Sequence, residues 1–84
     1  MQVVVTKHHG LGNDFLVLDL GQLHSQQIDP AKIDWSGVAK RWCDRQRGVG
    51  ADGLLLLTRV ADFKLEMQLL NQDGSRAEMS GNGI

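Results

Sequence analysis

Ser80-Gly81-Asn82-Gly83 is the segment whose residue types could do chemistry. Glycines at 81 and 83 let the backbone turn tightly and approach a ligand closely. If a helix starts here, its unpaired N–H groups face outward and hold a carboxylate or phosphate, with the Ser80 hydroxyl beside that anion. Asn13 lies in a turn-rich loop and Asn71 at the end of an alternating segment. An amide side chain donates and accepts at once, which suits an amino-acid substrate carrying both charges. Plain turn chemistry accounts for both asparagines equally well at this level.

The elements that must position these residues follow from patterning. Val3 to Lys7 is β-branched, His9 to Asp14 is rich in turn residues, and Phe15 to Asp19 is apolar again, which predicts strand, loop, strand. Gly21 to Pro30 reads as a polar loop ending in Asp29-Pro30. Trp35, Val38, Ala39 and Trp42 share one helical face, with Asp34 as N-cap, and the helix is expected to end near Arg45 with Gly48 as its stop. Leu54 to Thr58 reads as a strand covered on both faces. Phe63, Leu65, Met67 and Leu69 alternate with polar residues, the signature of a half-buried strand. Asn71 to Gly74 then turns the chain and brings Asn71 toward the Gly81-Asn82 backbone. The predicted fold class is α+β: mostly antiparallel strands with one amphipathic helix packed on a face and a second helix beginning at Ser80. A helix begun there cannot propagate in the few residues that remain. The expectation is therefore that the chain is a piece of something longer.

Several other features have simpler readings. Gly48-Val49-Gly50-Ala51-Asp52-Gly53 matches GxGxxG letter by letter, but that fingerprint needs a strand before it and a helix after it. Here a helix precedes and a strand follows, so the segment is read as a return turn that Asp52 orders by accepting from backbone N–H groups. His8 and His9 are adjacent and His24 is remote, which is no ligand spacing, so no metal is expected. Cys43 is the only cysteine and reads as a buried structural thiol, which also excludes an internal disulfide and fits a reducing, cytoplasmic setting. Trp35, Trp42, Phe15 and Phe63 fall at core-type positions. With 84 residues, 42% hydrophobic, 23% charged and a net charge of −1, the chain makes no electrostatic case for nucleic acid or an anionic membrane. No apolar run approaches the roughly 20 residues that span a bilayer.

Three segments together, Lys7 to Phe15, Cys43 to Gly53 and Asn71 to Gly83, closely resemble the amino half of diaminopimelate epimerases in order and spacing. The resemblance implies two similar lobes, each a mixed sheet wrapped around a central helix, facing one another across the active site. Residues 1–84 would be part of the first lobe, cut at the start of its central helix, and the second lobe would be absent. It implies inversion at the α-carbon of LL- or meso-diaminopimelate with no metal or pyridoxal cofactor: one group removes the α-proton and a second, on the opposite lobe, returns one. Asn13 and Asn71 would bind polar groups of the substrate, and Gly81 with Asn82 the α-carboxylate. Gly53 stands where some members carry a substrate-contacting Gln.

The resemblance also implies that Ser80 stands where the catalytic cysteine of the first lobe is expected. A thiol ionises near pH 8.5, whereas an alkyl alcohol is many units weaker, and each unit is about 1.4 kcal/mol of proton-transfer equilibrium. Ser80 could act as base only with strong activation by a neighbour. Three readings stay open: an epimerase with Ser80 in the catalytic position, a same-fold dehydratase or one-base isomerase, and a non-catalytic carboxylate-binding homologue. The expected partners are a small amino-acid substrate and the remaining carboxy-terminal polypeptide, with a homodimer compatible with the resemblance. Residues 1–84 alone are expected to be inactive.

Overall fold

The computed structural model describes residues 3–9, 12–62 and 64–77. Strands β1 (Val5–His9), β2 (Asp14–Asp19), β3 (Gly53–Ala61) and β4 (Lys64–Asn71) form one sheet in that order. The first pair is antiparallel, β2 and β3 are parallel, and β3 and β4 are antiparallel, so the sheet is mixed and the chain is α+β. The parallel pair needs a long crossover. It is made by α1 (Gly21–Ser25), a 3-10 turn at Pro30–Lys32 and α2 (Trp35–Cys43). Among the described residues no helix is long and apolar enough to cross a membrane.

The sequence dictates α2 at both ends. Asp34 accepts a hydrogen bond from the Gly37 amide at 3.2 Å, the N-cap its position predicts. The helix ends at Cys43, two residues short of Arg45, because Asp44 is extended and turns its carboxylate onto the Gln46 and Arg47 amides at 2.8 and 3.2 Å. The glycine-rich return then serves the helix end. Val49 and Gly50 both donate to the Trp42 carbonyl, and Ala51 donates to that of Cys43. Gly48 is therefore no stop; a Cβ there would run into the Arg41 and Trp42 carbonyl oxygens it closes against.

Two further expectations are corrected. The stretch Gly21 to Pro30 holds a five-residue helix, α1, anchored by fully buried Leu23. The second concerns the alternating strand: Leu65 is 52% exposed, and the buried member of β4 is Leu70. The reason is which side α2 covers. Register places Leu16, Leu54 and Leu70 in one row, and Leu18 with Leu56 in another, on the face under Val38, Ala39 and Cys43. These five leucines are at most 3% exposed, and each contributes about 1.5–3 kcal/mol by leaving water. The alternate residues Phe15, Val17, Leu55, Leu57, Met67 and Leu69 are only half-buried, so β3 is fully covered on one face and half-covered on the other. Trp35 and Trp42 pack against the rim of the core, as their positions predict, while Phe63 lies outside the described residues.

Candidate functional site

The strand ends gather the candidate residues. Phe15, Gly53 and Asn71 are partners in one row across β2, β3 and β4. Asn13 lies two residues outward from Phe15, so both asparagines stand at the same end of the sheet with the start of β3 between them. Asn13 is exposed, and its side chain makes no hydrogen bond among the described residues. Asn71 is exposed and donates from Nδ2 to Ser75 Oγ at 3.0 Å, while its amide donates to the Ser75 carbonyl at 2.7 Å. Ser75 in turn donates to Asp73 at 2.6 Å, which holds the Asp73 carboxyl below the usual carboxylate range. The 71–74 turn is thus built as predicted, and Gly74, at φ +88°, lies against α2 at Ser36. Ser80, Gly81 and Asn82 lie outside the described residues, as does the expected approach of Asn71 to them.

Gly53 is constrained by its neighbours. A Cβ at this position would sit 2.9 Å from the Leu70 carbonyl oxygen and 3.3 Å from side-chain atoms of Phe15 and Leu69. No larger side chain enters this row without a shift of backbone.

Sequence reasoning missed a charged cluster at this end. Asp14 Oδ1 lies 2.6 Å from His9 Nδ1, and the carboxylate can only accept, so His9 donates. That bond, reinforced by the positive charges of Lys7 and Arg45, holds the Asp14 carboxyl below its ordinary range despite some desolvation. Arg45 lies 3.8 Å from Asp14 and 3.2 Å from Asp52. The Asp52 carboxylate also accepts from the Asp14 amide at 2.9 Å. Asp52 therefore bonds a backbone N–H group as expected, but that of the neighbouring strand rather than of its own turn. The available signal was the pairing of acids at 14 and 52 with Arg45, which has no fixed spacing and becomes visible only once β2 and β3 are known to be parallel.

Cys43 is 2% exposed beneath α2, and burial pushes its thiol up, aided by the Asp52 charge and opposed by Arg45. It is a core thiol, as expected. Among the described residues no group of three His, Cys, Asp or Glu could hold a metal ion. Two cavities, of about 570 and 430 Å³, share Leu20, Leu56, Gln68 and Arg76, and neither Asn13 nor Asn71 lines them.

Comparison with known proteins gives the family. The family model for diaminopimelate epimerase matches residues 5–84. A diaminopimelate epimerase of Pelotomaculum thermopropionicum is 47% identical over 79 residues, covering 94% of this chain and 26% of that protein. Those of Carboxydothermus hydrogenoformans and Prochlorococcus marinus are 50% and 51% identical over 80 and 82 residues, covering 93% and 94% of this chain and 27% and 26% of theirs. The chain spans about a quarter of the length of the curated relatives it matches. It belongs to the diaminopimelate epimerase family.

Proposed function

We propose that the complete protein interconverts LL- and meso-diaminopimelate by α-proton removal and return, without metal or pyridoxal cofactor, as a cytoplasmic step of lysine and peptidoglycan precursor biosynthesis. The observation that carries this reading is the placement of Asn13 and Asn71 at one end of the sheet, in a chain of this family. The two amides bind polar groups of the substrate. Gly81 and Asn82 bind the α-carboxylate at the N-terminus of a helix that starts at Ser80 and lies across the half-buried face of the sheet. That helix end stabilises the negative charge developing at the α-carbon. The opposing acid/base comes from a second lobe in the carboxy-terminal polypeptide, so residues 1–84 alone turn over nothing.

Proton balance defines the role of residue 80. When the α-C–H bond breaks, its proton passes to the group at 80 or to the group on the opposite lobe, and the other group supplies the proton that forms the new C–H bond. A serine at 80 makes its half of the exchange slow. This residue is what the two alternatives rest on: a same-fold dehydratase or one-base isomerase, and a non-catalytic carboxylate-binding homologue.

The test is α-proton exchange of diaminopimelate in deuterated water, followed by NMR on the complete protein and on Ser80→Cys. The expected result is slow deuterium incorporation at both stereoisomers, accelerated by about 100-fold or more with cysteine, the scale of a positioned acid/base. Exchange into a single stereoisomer in both proteins assigns the one-base reading. Binding without exchange in either assigns the non-catalytic one.

A further inference from the structure

We propose that Asp52 is a positioning residue whose carboxylate holds the Asn13 loop in fixed register with Asn71. This rests on the reading of those two asparagines as substrate ligands. Asp52 is the last residue before β3, and it is bonded to the neighbours of both. Toward β2, its Oδ2 accepts from the Asp14 amide at 2.9 Å, and its own amide donates to the Asp14 carbonyl at 2.9 Å. Toward β4, its carbonyl accepts from the Gln72 amide at 3.1 Å. Residue 14 adjoins Asn13 and residue 72 adjoins Asn71, so one residue spans the gap between the candidate ligands.

The side chain carries the part of this bridge that backbone pairing cannot. Asn13 precedes β2, beyond the last ladder bond, and a loop at a strand end is free to fray. The carboxylate closes it with a charge-assisted bond, stronger than a neutral one. Arg45 Nη2, 3.2 Å from the second carboxylate oxygen, fixes the rotamer from the loop that follows α2. The arrangement is asymmetric: Asn71 is also held by Ser75, whereas the described residues hold the Asn13 loop through Asp14 alone. Losing the Asp52 carboxylate should therefore act on binding through Asn13.

The experiment is a double-mutant cycle on the complete protein, with LL-diaminopimelate as the probe and calorimetry as the readout. Asp52→Ala is expected to weaken binding about tenfold, the scale of a small misplacement of a ligand-binding group. In an Asn13→Ala background the same change should add no more than about twofold, since the two residues act in series. Asp52→Asn, which keeps a neutral acceptor for the Asp14 amide but loses the Arg45 contact, should restore part of the loss. An equal loss with and without Asn13, or no loss in a folded Asp52→Ala, overturns the proposal. If Asp52→Ala does not fold, Arg45→Met tests the same chain of contacts. It should weaken binding about threefold, an effect that Asn13→Ala abolishes, and equal loss in both backgrounds again overturns the proposal. If the unaltered protein binds no diaminopimelate, the functional reading fails by itself. The positioning role is then judged by hydrogen exchange: a faster Asp14 amide and a moved Asn13 side-chain resonance in the variant sustain it, and unchanged ones overturn it.

Discussion

Asp14 shows how a single partly buried residue couples the candidate site to pH. The His9 hydrogen bond lowers its carboxyl, so at low pH the unfolded chain, whose Asp titrates near 3.9, binds more protons than the folded one. The stabilisation is therefore present above about pH 4 and is lost as pH falls through the folded value. Asp44, held down by the Gln46 and Arg47 amides, and Asp73, held down by Ser75, act with the same sign. Asp44 and Asp73 are exposed and Asp14 is only partly buried, so each share is small and salt can screen the ionic part. In His9→Ala the Asp14 carboxyl should titrate at higher pH than in the unaltered protein, while Asp44 and Asp73 stay where they are. Carboxyl-carbon NMR from pH 6 to 2 measures this directly. Coincident Asp14 midpoints in the two proteins would show that the bond does not form in solution. Cys43 contributes with the opposite sign: burial raises its thiol, so its share is present below about pH 8.5 and fades as pH rises toward the folded value.

Elements meet through glycines where side chains have no room, and Gly74 is the sharpest case. It is buried at φ +88°, and a Cβ would sit 2.8 Å from the Ser36 carbonyl oxygen and 2.5 Å from its hydroxyl. Gly12 provides the control, with φ +84° and nothing within 4 Å. Gly12→Ala should cost about 1 kcal/mol, the left-handed backbone alone. Gly74→Ala should cost about 3 kcal/mol or more, because the turn must also leave α2. Urea denaturation of the complete protein compares them, and equal costs would mean that the 71–74 turn does not rest on α2. The outline of α2 and the 71–74 turn was legible because Asp34, the Trp35 to Trp42 face and Asp73-Gly74 are local signals. By contrast, α1 is too short to show a helical period, and the stop at Cys43 depends on an Asp44 side chain competing for local amides. The parallel pairing of β2 with β3, and with it the cluster of Asp14, Arg45 and Asp52, joins residues 38 apart and has no local signature. Of the site, the sequence showed which residues to suspect. It could not show that Asn13 and Asn71 share one end of the sheet.

At the scale of the whole molecule, the two faces of the sheet are unequal. Leu54 and Leu56 are 0% and 2% exposed under α2, while Leu55 and Leu57, between and beside them on the central strand, are only half-buried. Leu55 is flanked in register by Val17 and Leu69, so the half-covered side is itself a continuous apolar surface of branched side chains. The proposed helix beginning at Ser80 would lie here and bring the carboxylate-binding N-terminus toward the asparagine end. The consequence is a stability difference that distinguishes a covered face from an open one. In the complete protein, Leu55→Ala should cost as much as Leu54→Ala, about 2–5 kcal/mol, since both would leave cavities in packed layers. If nothing covers that face, Leu55→Ala should cost about 1 kcal/mol or less, because a half-exposed leucine loses little transfer energy and its neighbours can relax into the gap. Urea denaturation of the two variants against the unaltered protein reads the difference. Equal costs would show that the face is covered in the complete protein, as the proposed Ser80 helix requires; a cheap Leu55→Ala would remove that support and with it the proposed path of the carboxylate site to Asn13 and Asn71.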